Sequence, residues 1–598
     1  MLPLQSVEDQ LRRVLASPIF AQSARMSRFL RFAVERALAG QPDQLKEYLI
    51  GVEVFDRNPN YDPRVDPIVR VEARRLRSKL KSYYDGEGRN DDVVIELPKG
   101  AYAPVFRSKS EPSATPLDLP EQTRPGSIAV LPFTNLSSEA DNEYFSDGLT
   151  EELIHRLTKV EGLMVVAWSS AARLKGQPYD LREIGRQLKV SAVLVGSVRS
   201  AGVRLRVTAQ LIDVASGQYL WSETYDRKIE DLFAIQEEIS TAIVKTLPAQ
   251  LMDRLGGLAL RRDTCVEAYN FYLKGRFQWN KRTDEGLKRS VQYFEQAIAL
   301  DPGFAVGYAG LADAYTLLAD YGHTPSREIM PLAKLAARKA LEMDPNIAEA
   351  HASLGLIRSL YDWEWPEAGD HYRKAMDLNP GYATAHHWFA VDYLAMLGRI
   401  EEGLVEIRLA QQLDPLSPII REGTGFLLMI SKRYEEAIEE YRQMLELDSY
   451  FYKAFTAMGR TYTQMGKYEE AIAMLQKGRS LSGDVPNILG CLGQTYALAG
   501  RPSEARRMLA ELAELSKRRH VASTCCALIH VGLGEKEQAL AWLEKACDNR
   551  ELSLSVLKIH PAYDGLRGEP RFQAILRQIG LADPSVTMAV TPQRSSSL

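Results

Sequence analysis

From about residue 265 onward this chain repeats itself, and the period decides what it can fold into. An acid or amide followed by proline closes successive Ala-rich stretches at Asp301-Pro302, Asp344-Pro345, Asn379-Pro380 and Asp414-Pro415, with proline spacings of 43, 35 and 35. Later copies keep another mark: Gly466 to Ala471, Gly500 to Ala505 and Gly534 to Ala539, whose final alanines stand 34 apart. Gly459 with Tyr462, and Gly493 with Tyr496, complete the pattern. Such a period is one helical hairpin, which cannot bury its apolar face alone, so neighbouring copies must stack. Small residues let the two helices approach, and the proline ends the second. About eight copies, some degenerate, fill residues 265–580 and commit more than half of the 598 residues to an all-α array.

Ahead of the array the sequence changes character twice. Residues 1–107 read as mostly helical. Met26, Phe29, Leu30, Ala33 and Ala37 fit one helix over about 24–39, ended by Gly40; Pro42 and Asp43 open a second. Residues 56–66 are turn-rich, with Asp66 suited to the N-cap and Pro67 to the first position of a third helix. On that helix Val69, Ala73, Leu76, Leu80 and Tyr83 form an apolar stripe. Arg70, Arg74, Arg77 and Lys81 form a separate cationic ridge, flanked by Arg75 and Lys79 and opposed by the single Glu72. That is an electrostatic footprint for nucleic acid. A hairpin follows, with one strand over 93–97, a turn at Pro98, Lys99 and Gly100, and a second strand around Tyr102. The net charge is −4, and residues 1–107 carry 18 Lys and Arg against 15 Asp and Glu, so any affinity for phosphates must be local.

Residues 108–125 are polar and proline-rich and read as a linker. Residues 126–250 alternate strand and helix: strands over 127–133, 163–167 and 192–198, helices over 146–160 and 180–188. Val203, Leu205, Val207, Ala209 and Leu211 then alternate with Arg204, Arg206 and Gln210, the mark of a half-exposed strand. Residues 215–218 turn it into QYLWSETY, and a helix over 229–247 closes the domain. The Ser-rich tail, 587–598, reads as disordered.

Three family resemblances rest on these residues. LKEYLIGVEVFDRNPNYDPRVDPIVRVEARRLRSKL, with IELPKGAYAPVF after it, resembles the winged-helix DNA-binding domain of the OmpR and CadC regulators. Arg75-Leu76-Arg77-Ser78-Lys79-Leu80 and Gly100-Ala101-Tyr102 carry the match, with one residue inserted between Gly and Tyr. The departures are an extra helix ahead of the core, a long bridge and no evident N-terminal β-sheet. The resemblance implies recognition positions at Arg70, Arg74, Arg77 and Lys81. SIAVLPFTNLSSEADNEYFSDGLTEELIHRL is similar to the TolB N-terminal and FlgO-like α/β module, which implies no catalysis. The repeats resemble tetratricopeptide repeats, which implies a partner-binding superhelix. The expected fold class is multidomain: an α+β winged helix, an α/β TolB-like module and an all-α tetratricopeptide superhelix.

Catalytic chemistry is not legible. GxxxxGK[ST], HExxH and GxSxG are all missing. Asp141, Glu143, Asp147, Glu151 and Glu152 crowd one segment, which the dipole of a helix N-terminus explains more simply than a metal. His386 and His387 are adjacent and would point about 100° apart on a helix. Trp363 and Trp365 read as core and turn residues of the third repeat. The five cysteines include no CxxC pair, and adjacent Cys525 and Cys526 suit a buried helix in a reducing compartment. No signal peptide or membrane span is read, so a cytoplasmic location is expected. We expect no enzyme activity, no catalytic residues, no metal and no cofactor. The expected partners are double-stranded DNA, met by Arg70, Arg74, Arg75, Arg77, Lys79, Lys81 and Lys99, and a protein in the repeat groove. Groove candidates are Asn270, His386 and Arg460, and a homo-oligomer through the α/β module is also open. The competing reading is a tetratricopeptide scaffold without DNA binding, or an accessory of a nucleotide-cyclase signalling system.

Overall fold

A computed structural model describes residues 4–21, 23–39, 45–58, 68–91, 93–97, 102–108, 124–137, 143–160, 162–176, 180–201, 204–228, 231–246, 265–322 and 324–582. Gly40, Pro42, Asp43, Asp66, Pro67, the turn at Pro98, Lys99 and Gly100, Asp141, Val203, most of the linker and the tail lie outside them. The chain divides into two compact units after residue 120.

The first unit holds α1 (Leu4–Ala16), α2 (Pro18–Ala21), α3 (Ala24–Leu38), α4 (Glu47–Phe55) and α5 (Ile68–Asp85). A hairpin of β1 (Val93–Glu96) and β2 (Val105–Ser108) follows, and among the described residues no strand precedes α5. Val69, Ala73, Leu76, Leu80 and Tyr83, the apolar stripe of α5, are all buried against α1, α3 and β1. Polar bonds pin the hairpin to that helix. Tyr83 donates its hydroxyl proton to Asp91 at 2.7 Å, and the Ile95 amide donates to the Tyr84 oxygen at 2.9 Å. The second strand begins at Val105 and not around Tyr102. Pro104 has no N–H for the ladder, so pairing starts beyond it.

The second unit opens with a mixed sheet and its helices. Its elements are β3 (Arg124–Val130), β4 (Thr134–Asn135), α6 (Glu143–Leu157), β5 (Met164–Val165), α7 (Trp168–Ala172), α8 (Leu181–Leu188), β6 (Val190–Ala201), β7 (Arg204–Asp213), β8 (Tyr219–Lys228) and α9 (Leu232–Thr246). The strand order is β5-β3-β6-β7-β8, with β4 beside β6. β3 runs parallel to β5 and β6, while β6, β7 and β8 are antiparallel. The alternation in β7 holds: Leu205, Val207, Ala209 and Leu211 are buried, and Arg206 reaches Asp226 on β8 at 2.6 Å. β5 is shorter than its apolar run because the Ala167 amide leaves the sheet and donates to the Leu413 carbonyl at 2.8 Å.

Eight helix pairs follow among the described residues. Repeat 1 is Val266–Asn280 with Asp284–Leu300, and repeat 2 is Ala305–Asp320 with Ser326–Met343. Repeats 3 and 4 begin with Ala348–Leu356 and Ala383–Trp388, each prolonged by a wide-turn π-helical stretch, Ile357–Asp362 and Phe389–Ala395. Their second helices are Trp365–Leu378 and Ile400–Leu413. Repeats 5 to 8 are Pro418–Ile430 with Tyr434–Leu447, Tyr452–Gln464 with Tyr468–Ser482, Pro486–Leu498 with Pro502–Leu515, and Ser523–Gly532 with Lys536–Asp548. The helix Pro570–Gln578 ends the array. The repeat glycines are packing residues: a Cβ on Gly459 would stand 2.5 Å from Leu475 Cγ. Cys491, Cys525, Cys526 and Cys547 are buried and unbridged, as small apolar residues would be. Trp365 lies in the core and Trp363 occupies a left-handed turn with φ of 64°.

Candidate functional site

The sequence points first to α5. Of its cations, Arg70, Arg74 and Lys81 have side chains outside the described residues, as does Lys99. Arg75 is exposed and meets Glu72 at 2.8 Å, one turn back. Arg77 is half-buried, and its Nε donates to the Leu97 carbonyl at 3.0 Å. Burial lowers its pKa from the usual arginine value. Lys79 donates from Nζ to the Ile19 carbonyl at 2.8 Å and stands 6.0 Å from the Phe20 ring centre. One ridge cation, Arg77, and the flanking Lys79 therefore tie α5 to the hairpin and to α2, which spacing alone does not reveal.

A second site lies wholly within the second unit, where the sequence predicts a partner-binding groove but not its closure by the mixed-sheet region. The inner face of the repeats, mostly their first helices, forms a cavity of about 800 Å³ closed on one side by α6 and α7. Several buried bonds hold this closure. Arg276 of repeat 1 meets Glu151 of α6 at 2.6 Å, and Asn280 donates to the same carboxylate at 3.0 Å. Burial disfavours the Arg276 charge, yet Glu151, Tyr272 and Asp313 more than restore it and raise its pKa. His155 meets Glu349 of repeat 3 at 2.9 Å; burial opposes the Glu349 charge, but His155 holds its carboxyl far below the usual range. Ser169 and Ser170 of α7 donate to Asp414, whose pKa burial raises, and Ser170 Oγ accepts the Leu416 amide at 2.8 Å.

The acidic segment of α6 is thereby accounted for. Glu143 and Asp147 meet Lys175 at 2.8 and 2.7 Å, Glu152 meets Arg156 at 3.3 Å, and Glu151 grips repeat 1. Among the described residues no group of His, Cys, Asp and Glu is arranged to hold a metal. No described helix is long and apolar enough to cross a membrane. Of the groove candidates, Arg460 lines the cavity. His386 is buried between Glu406 at 2.8 Å and the Pro380 carbonyl at 3.0 Å, and it is His387 that faces the cavity. Asn270 is not part of the wall.

Comparison with known proteins supplies the remaining observations. Residues 428–494 and 486–511 match tetratricopeptide repeats. "Putative adenylate cyclase 3" of Rhizobium meliloti (strain 1021) is 35% identical over 270 residues, covering 43% of this chain and 44% of that one. "Transcriptional regulator HilA" of Salmonella typhimurium (strain LT2) is 24% identical over 317 residues, covering 52% of this chain and 54% of its own length. The chain thus spans about half the length of these curated relatives. Residues 123–242, the mixed-sheet region, match the second domain of HilA/YgeH-like transcriptional regulators. The chain therefore carries a HilA-like regulator domain set against the inner face of tetratricopeptide repeats.

Proposed function

We propose that this chain is a non-enzymatic, cytoplasmic transcriptional regulator. Its first unit binds double-stranded DNA in the winged-helix manner, and its repeats bind a protein partner that sets activity. The observation that carries this reading is the match of residues 123–242 to a regulator domain. The burial of α5's apolar stripe supports it, as does the exposure of Arg75 on the same helix. In this reading Arg74 reads base edges, with Arg77 beside it on the Leu97 carbonyl, while Arg70, Arg75, Lys79, Lys81 and Lys99 serve the phosphates.

The test is affinity of the full chain for genomic double-stranded DNA at about 50 and 200 mM salt. Five phosphate contacts should cost roughly 500-fold over that range. Lys99→Ala should weaken all sites and lower the salt slope by about 1, while Arg74→Ala should also relax sequence preference, by about 1–3 kcal/mol of discrimination. Binding without salt dependence, or a double Arg74→Ala, Arg77→Ala variant that binds as before, defeats the proposal.

The 35% identity to a cyclase-named protein favours a second reading, a scaffold of a nucleotide-cyclase system. A requirement for this chain in the cyclic-nucleotide synthesis of a partner enzyme would select it, whereas conversion of ATP by the pure chain would overturn both readings.

A further inference from the structure

The mixed sheet leaves part of one face bare. On its other face Val198, Leu205, Val207, Ala209 and Tyr225 are buried. On this one α8 covers only an end, where Ile184 and Leu188 pack with Val193. Beyond that end the register lays polar side chains in rows across neighbouring strands. Thr134 of β4 stands beside Ser197 of β6, Ser197 is opposite Thr208 of β7, and Thr208 is opposite Thr224 of β8. The last two hydroxyls are 3.2 Å apart. The next row is Arg199, Arg206 and Asp226, and the row after it pairs Arg204 with Lys228. Thr134, Arg199, Arg204, Arg206, Thr224 and Lys228 are all exposed.

These rows set like charges against one another. Side chains directly opposite on a sheet stand about 5 Å apart at Cβ, and two of the same sign there are destabilising. Arg199 is opposite Arg206, and Arg204 is opposite Lys228. Asp226 serves both strand-β7 arginines, meeting Arg206 at 2.6 Å and Arg204 at 3.7 Å. Among the described residues Arg199 and Lys228 have no acidic partner. The chain as a whole carries −4, so a face with four cations to one carboxylate is a local departure from its composition. The fold on its own gains little from that arrangement; an anion laid across the rows would turn the repulsion into attraction.

The shape and chemistry of the face narrow the choice of anion. Small molecules take concave sites, whereas a sheet face is open. Strands lie about 4.8 Å apart, so cations on β6, β7 and β8 spread over about 10 Å, roughly the run of two or three phosphates along a nucleic-acid strand. Arginine, lysine, serine and threonine are the side chains that hold phosphate oxygens. The rows carry no aromatic ring on which unpaired bases could stack, which favours a duplex over a single strand.

We propose that this bare face of the mixed sheet binds the phosphate backbone of double-stranded DNA without reading its sequence, through Arg199, Arg204, Arg206 and Lys228, with the hydroxyls of Ser197, Thr208 and Thr224 beside them. This rests on reading the chain as a DNA-binding regulator, and it adds to the contacts assigned to α5 a second set on another domain. The regulator domain then has a task on the DNA itself.

The test repeats the salt series on the full chain with genomic double-stranded DNA. The double variant Arg199→Gln, Lys228→Gln should lower the salt slope by about 2 and leave sequence preference unchanged. It should melt no lower than wild type, because each change removes one of two opposed cations. Thr224→Glu supplies a carboxylate to the unpaired cations; it should weaken binding while the fold keeps its stability. A double variant with the wild-type slope overturns the proposal, and so does a Thr224→Glu chain that binds DNA as wild type does. If the double variant keeps its DNA slope but loses affinity for poly-glutamate, the face takes an acidic protein segment and the proposal falls equally. The Arg74→Ala, Arg77→Ala chain separates the two readings. If it binds as before while the face variant loses slope, the winged-helix reading fails and this inference stands. If it loses sequence preference while the face variant matches wild type, this inference alone fails.

Discussion

At the scale of single residues, the most consequential side chain is one that marks a repeat. Asp414 sits where Asp301 and Asp344 merely close a turn, and it accepts from Ser169 and Ser170 instead. Asp414→Ala removes both bonds and strands two hydroxyls at a buried seam. At about 1 kcal/mol or more per bond, the contact of α7 with the repeats should weaken by roughly 2–3 kcal/mol. Hydrogen exchange should then quicken across α7 while repeats 6 to 8 keep their protection; unchanged exchange at α7 would sink the idea. The sequence showed Asp414 as a period marker only, because its partners stand some 245 positions earlier in the chain. Arg77 and Lys79 were hidden in the same way. Their spacing put one on the cationic ridge and one beside it, but the Leu97 and Ile19 carbonyls that hold them are 20 and 60 positions away. Local pattern reports which face a residue is on; it does not report what else reaches that face.

Elements were far more legible than contacts. The stripe from Val69 to Tyr83 is buried as spaced, and the alternation along β7 matches its two faces. Both are short-range consequences of helix and strand periodicity. Element ends were less legible, since Pro104 delays β2 and the Ala167–Leu413 bond shortens β5. The repeat glycines allow a direct test. Gly459→Val would force a Cβ to within 2.5 Å of Leu475 Cγ, with Ala471 O also only 3.1 Å away. Overpacking of this kind costs about 1–3 kcal/mol. The thermal midpoint of the repeats should fall, while Gly466→Ala should act through its φ of 75° instead, with no steric neighbour to meet. A Gly459→Val protein as stable as wild type would show that the two helices of repeat 6 are not in close contact.

At the scale of the whole repeat array, buried histidines should make stability respond to acid. Burial lowers His560 and His387 to about 3 and His371 to about 4, against an ordinary value near 6.5. A folded-state pKa below the unfolded one means the unfolded chain takes up more protons between the two. Their contribution is complete above about 6.5 and is lost as pH falls toward the folded values, by up to about 1.4 kcal/mol per unit for a well-buried histidine. His371 is partly exposed and counts for less. Asp313, raised by burial to about 6, runs the other way, because its ionisation costs stability above that pH. The histidines' loss of stability from about pH 7 to about pH 5 is offset in part by Asp320, Asp392 and Asp414, which burial raises as it does Asp313. His560→Asn, which can still accept the Ala562 amide, should lose less stability over this range than wild type; an equal loss in the two would contradict the assignment.

The end of the array also returns to its third and fourth repeats. Trp365 Nε1 donates to the Ile579 carbonyl at 2.8 Å, Arg550 to the Tyr361 carbonyl at 2.8 Å, and Lys558 to the Leu397 carbonyl at 3.1 Å. Phe572, Ile575 and Leu576 share one apolar cluster with residues of repeats 3 and 4. An open solenoid can gain or lose a unit and merely change length. A coil clasped to itself has a seam, and the seam counts the units: inserting or deleting one between repeats 4 and 8 would swing the terminal helix past Trp365 and Tyr361. The number of units from the third repeat to the terminal helix is thus set by closure, and drift in copy number, harmless elsewhere, would here undo the fastening.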